Sequence, residues 1–211
     1  MHDDPPVAPL FFFGAMSPYS WFAAERIEQL LPQARWRGVL AGAIFKANGR
    51  VSWGLTEHRP DGIEDCRARA AAHGLGPICW PDPWPTSDLL IARAMAFAER
   101  LGPSGAVAPD GGLGVLKPFA LTAMRLAFLE GADLGDPEAI LEAGRRTGID
   151  GHDLEHALGD PVIKDALRAT TDEALALGVF GVPTIAVGGQ LFWGDDRLED
   201  AVAADRSSHG R

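Results

Sequence analysis

Cysteine is scarce in this chain: Cys66 and Cys79 are the only two among 211 residues. Two thiols cannot make the disulfide framework of a small secreted domain, so reduced thiols in a cytoplasmic protein are expected. Positive charge is short as well. Nineteen Lys and Arg against 29 Asp and Glu leave a formal charge of −10 at pH 7. Such a surface repels phosphate backbones and anionic headgroups, which argues against a nucleic-acid or membrane partner. No stretch reaches the roughly 18–20 unbroken apolar residues of a membrane span. The opening MHDDPPVAP is acidic and proline-rich, with no positive segment ahead of an apolar one, so no secretory signal is read there. What is present, 46% hydrophobic and 23% charged residues, suffices to bury a sizeable core in one large domain.

Residues 9–13 form a short apolar run bounded by proline and glycine, which reads as a buried strand. From Ser17 the apolar positions Trp21, Phe22, Ala24, Ile27, Leu30 and Leu31 recur at helical spacing. Ser17 as N-cap with Pro18 at the first helical position is a strong start signal. The alternating stretch 34–40 reads as a second strand, and strand–helix–strand implies a parallel pair with a right-handed crossover. A Gly-rich loop follows over 42–54. Helices are expected at 62–73, 87–101, 115–130, 137–146, 153–158 and 161–177, with no strand signal among them. Between the first two, GPICWPDPWP (76–85) reads as an ordered loop packed on the surface. Strand character returns at 182–187 and 190–193 around a Gly188-Gly189 turn, a good hairpin signal. A last helix is expected from about Asp196 to Ala204, with 206–211 a disordered tail.

Two distant segments stand out, SPYS (17–20) and GVFGVPT (178–184). A strand N-terminus carrying Val182-Pro183 is unusual, because proline cannot donate to a ladder. A cis peptide bond is one resolution, and it would leave the Val182 backbone free to pair with a peptide-like ligand as an added strand. The pair His152 and His156 sits four residues apart on an expected helix. Two imidazoles without a third ligand in view read as a solvated surface, so no metal site is expected. GGLG (111–114) lacks the preceding strand and spacing of a dinucleotide loop and reads as a connector between helices.

The order βαβ, helices, ββα resembles the α/β thioredoxin-like fold with a large all-helical insertion, the DsbA-like arrangement. That resemblance implies a discontinuous thioredoxin-like domain over 9–55 and 178–205, a helical insertion over 56–177, and disordered tails at 1–8 and 206–211. Disulfide oxidoreductases of this fold open their first helix with Cys-Pro-X-Cys. Here Ser17-Pro18-Tyr19-Ser20 fills that frame, and serine cannot exchange disulfides. Neither Cys66 nor Cys79 lies near the helix start in sequence, so redox cycling is not expected.

With SPYS, GAIFKA (42–47), GVFGVPT and FWGDDRL (192–198) in this order, the chain resembles the 2-hydroxychromene-2-carboxylate isomerases and the related kappa-class glutathione transferases. The resemblance runs from about Phe11 to Val202, strongest at the two ends. It implies glutathione as cofactor, with Ser17 contacting its sulfur. A hydroxyl donor at a helix N-terminus favours thiolate over thiol; the alternative role for Ser17 is a helix cap alone. It further implies that Val182 and Pro183 meet the glutathione peptide, and that Trp193, Gly194, Asp195 and Asp196 hold its γ-glutamyl end. Asp195 and Asp196 also suit an N-cap pair on the last helix. For a small aromatic substrate it implies Lys46, Asn48 and Arg50 as carboxylate contacts. Asn48 and Arg50 depart from the family pattern, and a solvated basic loop is the alternative. Trp53, Trp80, Trp84 and Phe13 are candidates to wall an aromatic pocket, or simply to pack the core or loops. The implied activity is a glutathione-dependent cis-trans isomerase of an unsaturated aromatic keto acid, in aromatic-compound catabolism, acting as a homodimer. A kappa-like transferase or peroxidase and a non-catalytic DsbA-like binding protein are the rivals.

Overall fold

The computed structural model describes residues 8–102 and 113–209. Strand β1 (Leu10–Phe13) pairs in parallel with β2 (Arg35–Gly38), and helix α1 (Pro18–Leu30) crosses between them. The hairpin β3 (Thr184–Val187) and β4 (Gln190–Trp193) adds to the other side of β1, antiparallel, giving the order β2-β1-β3-β4. The hairpin turns at Gly188 and Gly189, both at positive φ, the backbone that a two-residue turn between twisted strands demands.

Strand β1 faces two cores because alternate side chains point to opposite sides of a sheet. Phe11 and Phe13 stack at 5.3 Å and meet the edge of the Trp36 ring, on the face covered by Trp21, Phe22 and Ile27 of α1. Phe12 points the other way, among Val39, Ile44, Ala174, Val179 and Val182.

The helices between β2 and β3 are α2 (Ala41–Ala47), α3 (Arg59–Ala72), α4 (Leu89–Arg100), α5 (Leu113–Glu130), α6 (Pro137–Thr147), α7 (Gly151–Gly159) and α8 (Pro161–Ala176). Core residues of α4 to α7 are continuous with the Phe11–Phe13 face, so the helical segment shares one interior with the sheet. Helix α8, which the sequence reading puts in the insertion, brings Ala174 to the Phe12 face. Arg37 of β2 pairs with Glu99 of α4 and Glu173 of α8, an ion triad across the same seam.

Three sequence expectations change. The loop expected over 42–54 contains helix α2 and a 3-10 turn, Trp53–Leu55. Glycine content suggested a loop, but Asp88 accepts from the Gly42 N–H at 3.1 Å and supplies from across the fold the cap that Leu40 does not. A Cβ on Gly42 would meet Asp88 Oδ1 at 3.2 Å, so a small residue fits there. The last helix, α9, runs Leu198–His209, so 206–209 are helical rather than a disordered tail. The Gln33 side chain donates to Asp205 at 2.6 Å and ties that final stretch to the end of α1. Helix α5 already contains Leu113 and Gly114, while the rest of the GGLG connector and the expected tail at 1–7 and 210–211 lie outside the described residues.

The Val182–Pro183 peptide is cis, and so are Asp82–Pro83 and Trp84–Pro85 in the 76–85 loop. Among the described residues, no helix is long and apolar enough to cross a membrane.

Candidate functional site

The turn between β1 and α1 is built from its own short-range bonds. Ser17 sits in extended geometry at the N-cap, and its Oγ accepts from the Ser20 N–H at 3.3 Å. Its own N–H donates to the Gly14 carbonyl at 3.0 Å. The two serines of SPYS then diverge. Ser20 is wholly buried and its Oγ accepts from the Gly14 N–H at 3.3 Å, an internal brace. Ser17 is partly open to solvent. Capping uses an acceptor lone pair of Ser17 Oγ, which leaves the hydroxyl proton free to donate.

Gly14 marks where three segments converge. A Cβ there would lie 3.0 Å from Ala41 Cβ and 3.5 Å from Val182 Cγ2, so the SPYS turn, the start of α2 and the cis-proline loop meet. Pro183 is buried, and its carbonyl accepts from the Gly194 N–H at 3.0 Å, which ties the cis-proline loop to the WGDD segment. No turn or loop hydrogen bond among the described residues engages the Val182 N–H or carbonyl.

Trp193, 42% exposed, lies across Gly181, where a Cβ would come within 2.5 Å of the indole nitrogen. Its ring also packs on Phe180 at 4.9 Å. The Arg50 guanidinium lies 4.7 Å from the Trp193 ring and 5.5 Å from that of Phe180. Of the three polar residues after the second strand, Arg50 is thus carried to the cis-proline loop. Asn48 instead donates to the Ile44 carbonyl at 2.9 Å and finishes its own helix. Lys46 is exposed in the last turn of α2.

The two aspartates of WGDD part company too. Asp195 is 1% exposed, accepts from Arg69 Nη1 at 2.8 Å and faces His73 Nε2 at 3.5 Å. Burial pushes its carboxyl above the ordinary aspartate range, against the downward pull of Arg69 and His73. Asp196 has a 60% exposed side chain, 3.9 Å from Arg69. Gly194, at φ 114°, is the hinge into this 3-10 turn, and a Cβ there would sit 2.3 Å from Asp196 Oδ1. Only glycine fits that backbone.

Tyr19, the X of the S-P-X-S frame, donates to Asp65 Oδ2 at 2.9 Å and carries the Arg69 guanidinium 5.3 Å from its ring. Cys66 lies against the same hydroxyl, so a thiol does reach the helix start, contrary to the sequence expectation. Helical spacing brings it there from a segment far along the chain. Cys66 is wholly buried, and that burial pushes its thiol up to about 12. It is a protonated core thiol, not a nucleophile. Cys79 is exposed and unpaired with it.

Three of the four aromatic candidates form one cluster beside this turn. Trp84 packs on Trp53 at 5.0 Å and on Trp80 at 4.7 Å, and Trp53 meets Tyr19 at 6.2 Å. Trp84 donates to the Met16 carbonyl at 3.2 Å, which pins the cluster to the residue before Ser17. Phe13 is not among them: it is wholly buried in the sheet, with Phe11 and Trp36. Among the described residues no three His, Cys, Asp or Glu side chains gather as metal ligands.

Sequence reasoning missed Asp65, Arg69 and His73. Their spacing of four places them on one stripe of α3, a signal that was available. The stripe is polar and half-buried where an insertion helix would ordinarily be apolar or solvated.

The strand order, the cis-proline opposite the helix start and the helical segment between β2 and β3 define a DsbA-like thioredoxin fold. Residues 115–204 match the DSBA-like thioredoxin domain family. The chain is similar to human glutathione S-transferase kappa 1, 25% identical over 201 residues, 89% of this chain and 86% of that protein. It is equally similar to the 2-hydroxychromene-2-carboxylate isomerase of Sphingobium xenophagum, 25% identical over 207 residues, 90% of this chain and 93% of that protein. A solved 2-hydroxychromene-2-carboxylate isomerase superimposes with a TM-score of 0.76 at 21% identity, over 96% of this chain and 94% of the other. The resemblance read from SPYS, GVFGVPT and FWGDDRL therefore extends to the fold and to nearly the whole length.

Proposed function

We propose that this protein is a glutathione-dependent cis-trans isomerase of an unsaturated aromatic keto acid. The observation that carries the reading is Ser17: a half-open hydroxyl at the N-cap of α1, its lone pair used by Ser20 and its proton free. Glutathione supplies a thiolate that adds reversibly to an activated double bond, so that rotation occurs about a single bond and the thiol is returned. The chain's part is to hold that sulfur charged and oriented. The Ser17 O–H donates to it, and the positive end of the α1 dipole favours its negative charge.

The rest of the site fits the same tripeptide. The Val182 N–H and carbonyl, unused by turns and loops, are available for strand-like pairing with a peptide. The exposed Asp196 carboxylate suits the γ-glutamyl ammonium, with the N-terminus of the last helix for its carboxylate. Asp195 is already held by Arg69 and His73, so its role is structural support. Arg50 supplies a cation on the Trp193 side of the cis-proline loop, for an anionic group of either ligand. The tryptophan cluster offers an apolar, aromatic neighbour for the substrate ring. Lys46 and Asn48 have weaker claims, given the exposure of one and the self-capping of the other.

Equal similarity to a transferase favours one rival, conjugation of the same thiolate to an electrophile. The test is to incubate the protein with glutathione and a cis aryl-oxobutenoate, following isomer ratio by absorbance and free thiol by titration. Isomerisation with thiol constant supports the proposal. Loss of one thiol per substrate means transfer. Neither change, together with no glutathione binding in the millimolar range, leaves a non-catalytic scaffold.

A further inference from the structure

Helix α3 belongs to the helical segment, yet one stripe of it reaches both halves of the candidate site. Asp65 accepts from the Tyr19 hydroxyl at 2.9 Å, inside the first turn of α1. Arg69, one turn on, donates from Nε to that same Asp65 oxygen at 2.9 Å and from Nη1 to Asp195 at 2.8 Å. His73, a further turn on, faces the other oxygen of Asp195 at 3.5 Å. A single guanidinium therefore spans from the SPYS turn to the WGDD turn, using two edges of its planar fork.

We propose that Arg69 is a positioning residue: it ties the first turn of α1 to the 3-10 turn at Asp195–Arg197 and so sets the span between the Ser17 hydroxyl and the Asp196 carboxylate. The inference rests on the glutathione reading only for what that span measures. The tie itself stands on the geometry. Burial adds to the case. Asp195 is 1% exposed and would be a buried charge without a full partner if Arg69 were removed, so the turn carrying Asp196 would have to move to rehydrate it. A second tether, from Arg26 Nη1 to the Asp195 carbonyl at 3.4 Å, comes from further along α1 and leaves its first turn to Arg69. Lysine cannot replace the fork, since one ammonium cannot be shared by Asp65 and Asp195 with the same directions.

The test compares wild type with Arg69→Gln, Arg69→Lys, the double variant Arg69→Met/Asp195→Asn and the control Arg67→Gln. Arg67 is exposed and, among the described residues, pairs with Glu64, one turn away. The double variant buries no unpaired charge and serves if Arg69→Gln fails to fold. Hydrogen exchange is read on peptides covering 14–21 and 192–199. Exchange at least tenfold faster in both peptides for the Arg69 variants, and unchanged for Arg67→Gln, is the expected result. Unchanged exchange in either peptide for folded Arg69→Lys and for the double variant overturns the proposal, whether or not glutathione binds. Glutathione calorimetry with thiolate absorbance on the same proteins is the second arm. If wild type binds, the Arg69 variants should bind at least tenfold more weakly and lose most of the thiolate signal. Unaltered binding and signal in them would count against a positioning role. Failure of wild type to bind removes the glutathione reading and leaves the exchange result to decide the tie.

Discussion

Replacing Ser17 separates the helix cap from the proposed contact with the glutathione sulfur. Its lone pair caps α1 through a 3.3 Å bond from the Ser20 N–H, a long bond on a half-open residue. Ser17→Ala should therefore cost about 1 kcal/mol, near the middle of the range for lost caps. In a chain of this size that lowers Tm by roughly 2–4 °C. Donation to a bound thiolate is a charge-assisted bond, worth about 1.5–3 kcal/mol. At 1.36 kcal/mol per pH unit, losing it raises the bound thiol by about 1–2 units. Ser17→Asp decouples the effects. Aspartate caps about as well as serine, so Tm should stay within about 1 °C of wild type. A carboxylate beside the sulfur repels the thiolate, so the thiol should rise at least as far as in Ser17→Ala. The assays are thermal unfolding and a pH titration of bound-glutathione absorbance. A Tm loss in Ser17→Ala with an unmoved thiol titration in both variants would refute thiol activation and leave Ser17 a cap.

Three other outcomes are expected. Gly62→Ala should destabilise by about 1–3 kcal/mol even though alanine is the better helix former. Its Cβ would fall 2.3 Å from the Trp53 ring, which Trp80 and Trp84 hold in place, and tryptophan emission should shift; an unchanged Tm and spectrum would contradict this. Cys66 should make the fold weaken in alkali. The unfolded thiol loses its proton near its ordinary value of 9.0, while burial holds the folded one up to about 12. The unfolded state then binds fewer protons across that window, so this contribution is fully present below pH 9 and falls as pH rises, by about 1.4 kcal/mol per unit. Between pH 9 and 10, before Tyr19 adds a loss in the same direction, Cys66→Ala should show a shallower slope in chemical denaturation; equal slopes would disprove it. Asp88→Ala should remove the cap on Gly42 and cost about 1 kcal/mol, with Asp88→Asn nearer wild type because burial already disfavours the charge. Hydrogen exchange at Gly42 reports it, and no acceleration in Asp88→Ala would rule the cap out.

Much of the framework was legible in the chain because the signals are local. Ser17-Pro18 announces a helix start by the lone pair of one and the preset φ of the other. Gly188-Gly189 announces a hairpin by its freedom at positive φ. The α2 segment was illegible for the opposite reason: its cap comes from Asp88, 46 residues away. Glycine at 42 looked like a loop former and is instead a place where a carboxylate presses close. The end of α9 was hidden likewise, since Gln33 holds Asp205 from 172 residues off.

At the site, sequence order brought forward Ser17, Val182-Pro183 and the WGDD segment, each with its local geometry. Which of each pair of like residues does what was decided in three dimensions. Ser20 turned inward to brace Gly14 while Ser17 stayed open. Asp195 was claimed by Arg69 and Asp196 was left to solvent. Arg50 was drawn onto Trp193, and Asn48 onto its own helix. By itself the sequence determined the order of the strands and of every helix but α2, the capped helix start and the absence of a Cys-Pro-X-Cys motif, because propensity, capping and residue chemistry act over a few residues. Only the tertiary structure decided burial and pairing, because solvent exposure and charge neutralisation depend on segments such as α3 that arrive from elsewhere in the chain.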